Sequence, residues 1–139
     1  MSALDNALDG LVGKRKGELL SILRIVSAYM FMLHGTVKMF GWPREGNAPF
    51  ELMSLNPGLI GVLEVFGGAL LLVGLFTRPI AFLLSGSMAF AYWMAHAPRG
   101  GALTPIMNGG DAAILYCFLF LFISAAGGGL WSLDNKLRG

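Results

Sequence analysis

The chain reads as long apolar blocks separated by short polar breaks. Four blocks stand out, over residues 19–40, 59–76, 80–95 and 112–126. A bilayer core about 30 Å thick takes roughly 20 mostly apolar residues in a helix, so each block predicts a membrane span, the third and fourth near the short limit. The breaks carry helix-stopping chemistry: Gly41-Trp42-Pro43, Asn56-Pro57-Gly58, Thr77-Arg78-Pro79, Ala97-Pro98-Arg99-Gly100-Gly101, Asn108-Gly109-Gly110 and Gly127-Gly128-Gly129. Ahead of the first block, Leu4, Leu8, Leu11 and Val12 fall at helical spacing and Lys14-Arg15-Lys16 follows. That pattern predicts a short helix lying on the inner membrane surface. Residues 50–53, inside the connection 43–57, are expected to form a second interfacial helix. The expected division is 1–18 as the interfacial segment, 19–135 as the membrane domain and 136–139 as the tail.

Composition turns these blocks into a fold class. Hydrophobic residues make up 55% of the 139 and charged residues 13%, with a mean hydropathy of +0.67. A soluble domain carries about 25% charge, and a disordered chain has low hydrophobicity. Four helices apolar nearly all round leave too little polar surface for water. The expected fold is therefore all-α, an integral membrane four-helix bundle. A net charge of +2 gives no reason to expect nucleic acid as a partner. The lipid bilayer is the first partner, with further membrane subunits or a second copy of the chain as the others.

The basic residues set direction. Lys14, Arg15, Lys16, Arg78, Lys136 and Arg138 flank one side, against Arg44, Arg99 and the rim residue Lys38 on the other. Positive charge stays on the cytoplasmic side, so both termini are expected inside. Trp42, Trp93 and Trp131 fall near span ends, where an aromatic belt would hold them.

A few ionisable residues interrupt the apolar blocks, and such residues usually face a bundle interior. Arg24, Ser27, Phe31, His34 and Lys38 share roughly an 80° arc of the first block. Gly61, Glu64 and Gly68 share a face of the second, where small residues admit a neighbouring helix. His34 and Glu64 each lie six residues inside their block, about 9 Å from the outer rim. His96 and Asp111 stand at the outer ends of the third and fourth blocks. The expectation is one polar cluster near the outer face, of His34, Lys38, Glu64, His96 and Asp111. Phe31, Gly68 and Tyr92 are the candidates for lining a pocket beside it. Two readings of the cluster compete: a polar network that only fixes helix packing, and a site that handles a ligand or protons.

These segments resemble the DoxX family of small bacterial membrane proteins. The resemblance rests on Leu23-Arg24-Ile25, on His34-Gly35-Thr36-Val37-Lys38 as an H-G-x-x-K pattern, and on Glu64-Val65-Phe66-Gly67-Gly68 as E-x-x-G-G. Gly74 to Arg78, His96, Asn108-Gly109-Gly110-Asp111 and the closing Gly127 to Asp134 follow in the family's order. Asp111 stands where the family would carry Glu, which shortens the reach of that carboxylate. The resemblance implies a four-helix protein of the inner membrane, associated with quinol- or quinone-linked oxidoreductase systems.

Three functions follow. A redox-linked subunit would bind a quinone, with His34 and Lys38 as proton donors and Glu64 and Asp111 as acceptors. A non-catalytic subunit would scaffold a larger complex. A proton path or transporter is disfavoured, because the chain has neither repeated halves nor a broken span. Nothing in the sequence carries electrons: there is no G-x-G-x-x-G, no C-x-x-C, and Cys117 reads as packing. Haem between His34 and His96 is disfavoured because their depths differ by about two turns. No metal site is expected. A quinone is the cofactor class that the cluster would suit.

Overall fold

The computed structural model describes residues 1–45 and 49–138. It is all helical, with no strand among the described residues. α1 (Ala3–Leu11) is closed at its start by a reciprocal cap. The Ser2 hydroxyl accepts from the Asp5 N–H at 3.1 Å, and the Asp5 carboxylate accepts from the Ser2 N–H at 2.8 Å. The turn Gly13–Arg15 leads into α2 (Lys16–Phe40), 25 residues long. An irregular turn, Leu55–Leu59, opens α3 (Ile60–Val73). α4 (Thr77–Ala91) runs on through the wide turn Tyr92–His96 into α5 (Ala97–Gly100). α6 (Pro105–Asn108), α7 (Asp111–Ala126) and α8 (Leu133–Arg138) complete the chain.

Among the described residues three stretches are long and apolar enough to cross a membrane: Ala3–Phe40, Leu55–Val73 and Thr77–Gly100. α7 is apolar but has 16 residues, which span about 24 Å at 1.5 Å per residue. Two expectations differ from the structure. Residues 50–53 form a turn and not a helix, and part of the connection 43–57 lies outside the described residues. The third apolar block was expected to stop near residue 95, yet the helix continues to Gly100. Pro98, which has no N–H to donate, follows the wide turn in which the Ala97 N–H reaches back five residues to the Tyr92 carbonyl.

The helices pack as antiparallel neighbours. α2 lies along α3, α4 lies along α7, and α3 joins the two pairs through α4. α2 and α7 meet at an aromatic seam, with Phe31 edge-on to Tyr116 at 5.3 Å and to Phe120 at 5.0 Å. Glycine sets the α2–α3 spacing. A methyl on Gly35 would sit 2.8 Å from the Gly61 carbonyl oxygen and 2.7 Å from a Val65 methyl. Such close approach is how membrane helices gain contact without a hydrophobic driving force.

The outer surface of the helices is apolar, and the interior mixes an apolar core of Phe31, Leu71, Leu84, Phe120 and Ile123 with polar groups. Phe66, Phe82, Phe118 and Phe122 are exposed, while Arg24, Ser27, Glu64 and Ser85 are buried. Apolar outward and polar inward is the arrangement that a lipid solvent selects.

Candidate functional site

At one end of the helices Arg24, Arg78 and Asp134 are all hydrogen-bonded, although the buried Thr77 hydroxyl has no partner among the described residues. Arg24 is completely buried. Its Nε donates to the Gly128 carbonyl at 2.8 Å, one terminal nitrogen donates to Leu71 at 2.6 Å and also to Leu72, and the other donates to Trp131 at 3.0 Å. Leu71 and Leu72 belong to the last turn of α3, whose carbonyls have no partner within the helix. Arg78 serves the last turn of α7 in the same way, through Ser124 at 3.2 Å and Ala125. The Asp134 carboxylate accepts from the N–H groups of Phe76 at 2.8 Å and Thr77 at 2.7 Å, at the start of α4. Cations at helix C-termini and an anion at an N-terminus complement the helix dipoles. Burial pushes the Asp134 carboxyl up, but the hydrogen bonds from Thr77 and Phe76 and the charge of Arg138 outweigh it and hold it below the usual carboxylate range.

The other end is different. Lys38 of α2 and Glu64 of α3 form an ion pair at 2.7 Å, with the Glu64 side chain 4% exposed and Lys38 26% exposed. Gly61, one turn before Glu64, leaves room for the Lys38 stem, since a methyl there would meet Lys38 Cβ at 3.2 Å. The second carboxylate oxygen of Glu64 is buried with no hydrogen-bond partner among the described residues.

Beside this pair lies a half-open cavity of about 500 Å³. α2 supplies Met30, His34 and Lys38, α7 supplies Tyr116, and the α2–α3 connection supplies Arg44, Glu45 and Pro57. Tyr116 forms the floor. Its ring stacks on Phe120 at 5.4 Å and stands edge-on to His34 at 6.1 Å. That volume falls in the range of small-molecule sites, and the lining mixes apolar surface with a few polar groups, as such sites do.

The five residues expected to cluster divide into groups. His34 and Lys38 line the cavity, and Glu64 stands behind Lys38. His96 is bonded elsewhere: its Nδ1 lies 3.2 Å from the Asn108 carbonyl, and its ring stacks on Tyr92. Asp111 is exposed in the first turn of α7. Among the described residues no three His, Cys, Asp or Glu side chains converge as a metal set would.

The three residues expected to line a pocket do not line this cavity. Phe31 is core. Gly68 is the close-approach point beside Met32 and the Ala28 carbonyl. Tyr92 donates to the Ala102 carbonyl at 2.6 Å and accepts from Asn108 at 3.3 Å. Tyr116 and Arg44 were not anticipated. The sign of Tyr116 in the sequence is a phenolic hydroxyl in the middle of the fourth apolar block, four residues before Phe120.

The same geometry has a family. The DoxX profile matches residues 19–97, which hold most of α2, all of α3 and α4, and the Lys38–Glu64 pair. The chain belongs to the DoxX family. This DoxX protein is also 47% identical over 123 residues to an uncharacterized protein of Haemophilus influenzae, covering 84% of this chain and 89% of that one. No solved structure matches it. Family and apolar helices together make it a membrane protein.

Proposed function

We propose that this DoxX protein is a multi-pass protein of the bacterial cytoplasmic membrane and the quinone-binding subunit of a membrane oxidoreductase system. In this reading α2, α3, α4 and α7 all cross the bilayer and both termini face the cytoplasm. α7 is shorter than the hydrocarbon core, and local thinning of the bilayer accommodates that difference.

The observation that carries the reading is the buried Lys38–Glu64 pair set beside an amphipathic cavity. A helix-packing role accounts for Arg24, whose hydrogen-bonding nitrogens all reach backbone carbonyls. It does not account for Lys38, which keeps part of its surface on the cavity. A lysine holding one carboxylate and facing an open slot can donate to a ligand carbonyl. His34 can donate or accept at the same slot, and Glu64 supplies the counter-charge. The chain's own residues thus bind, orient and exchange protons with a quinone, and electrons come from partner subunits.

Gentle detergent extraction followed by solvent extraction of the pure protein tests this. Quinone should be recovered from the wild type above the level in co-purified lipid, and lost from Glu64→Gln and His34→Ala variants that keep their helical circular dichroism. Recovery at the lipid background, with other chains retained in all variants, would instead favour a non-catalytic assembly subunit. A C-terminal reporter active only outside the cytoplasm would overturn the assigned direction.

A further inference from the structure

The cavity sits on the seam between α2 and α7. The aromatic contact of Phe31 with Tyr116 and Phe120 closes that seam on one side. One turn further along α2, His34 still stands edge-on to Tyr116, and these two side chains together with Lys38 line the cavity. Met30, which also lines it, is 53% exposed on the outer surface of α2. The exposed Arg44 and Glu45 frame the cavity on the side of the connection, and the apolar Met30 frames it on the side of the membrane helix, where it meets lipid.

The charges around the cavity cancel by sign. Lys38 is neutralised by Glu64, and Arg44 is accompanied by Glu45. The formal charges of Lys38, Arg44, Glu45 and Glu64 sum to zero, so an anionic headgroup finds hydrogen-bond donors but no net positive charge. The Tyr116 hydroxyl makes no hydrogen bond among the described residues, although its ring is fixed by three aromatic neighbours. A rigidly held hydroxyl on the floor of such a slot is a preset donor for a neutral acceptor.

We infer that the cavity is loaded sideways from the bilayer, between α2 and α7, by a neutral amphiphile whose carbonyl head accepts hydrogen bonds from Tyr116 and Lys38. The inference rests on the quinone reading above and adds the entry route, the charge class and Tyr116 as a ligand contact.

The test uses the full chain in phosphatidylcholine nanodiscs and a ubiquinone analogue with a decyl tail, with binding read by quenching of intrinsic fluorescence. The wild type should bind. Tyr116→Phe should keep its fold and bind about 5- to 10-fold more weakly. Met30→Trp, which fills the lipid-side opening, should slow association about tenfold. Replacing a third of the lipid with phosphatidylglycerol should leave binding unchanged. Wild-type binding with an unchanged Tyr116→Phe variant overturns the inference and leaves the quinone reading standing. Competition by phosphatidylglycerol overturns the neutral class and assigns the slot to an anionic lipid. Absence of wild-type binding overturns both.

Discussion

Glu64 stands inside the helix pack with one oxygen on Lys38. Two charges taken out of water are tolerable only together. Removing one partner of a buried pair costs about 3–5 kcal/mol, whereas replacing both by apolar groups of similar volume is often neutral. Lys38→Met and Glu64→Leu should therefore each lower the melting temperature in detergent, and the double variant should recover most of the loss. Single variants that melt like the wild type would show that the pair contributes nothing to folding. His34, Lys38 and Glu64 were legible in the sequence because a charge or an imidazole inside an apolar block is expensive and so stands out. The partners of Arg24 were not. They are backbone carbonyls, which every residue carries, and no residue type announces them. Tyr116 was hidden for the opposite reason, since an aromatic ring in an apolar block looks like packing whichever way its hydroxyl points.

Helix placement was legible to within a few residues, because apolar runs and Gly or Pro breaks mark it directly. What the pattern did not carry is how closely the elements approach. Gly35 faces the α3 backbone, so Gly35→Ala should push α2 from α3 and cost about 1–3 kcal/mol, read as a lower melting temperature with helix content unchanged. Gly86, against which nothing lies within 4 Å, serves as the control and should accept alanine without loss. Asp134 holds the start of α4 from α8, and that hold is pH dependent. Its folded carboxyl lies below the ordinary range, so its contribution is complete above the unfolded value of about 4 and is lost as pH falls through the lowered folded value. Asp134→Asn should cost about 1–2 kcal/mol at neutral pH. The gap between wild type and variant should close as the melt is repeated towards pH 3. A gap constant from pH 7 to pH 3 would remove the carboxylate from the account.

Across the whole molecule the two ends do different work. The residues of the single expected cluster lie apart: His34, Lys38 and Glu64 stand at the cavity, Asp111 is exposed, and His96 is taken by the Asn108 carbonyl, a contact made within a connection whose path no periodicity describes. The class of fold came through because it depends on composition, and the cavity did not because it depends on how two helices meet. The closed end also links distant parts of the chain. Arg24 bonds to Gly128 and Trp131, 104 and 107 residues further on. Trp131 in turn donates to Ser21 at 3.0 Å, and the Leu130 N–H reaches the Gly17 carbonyl at 3.3 Å. A chain cut after Gly127 should leave Arg24 short of acceptors and fail to accumulate in membranes, while Arg24→Met in the cut chain should restore part of the yield. A ribosome makes α2 long before residues 128–131, so its arginine waits in the membrane through most of translation. Nascent α2 is a provisional helix, and the order of synthesis leaves the last polar segment to certify the first.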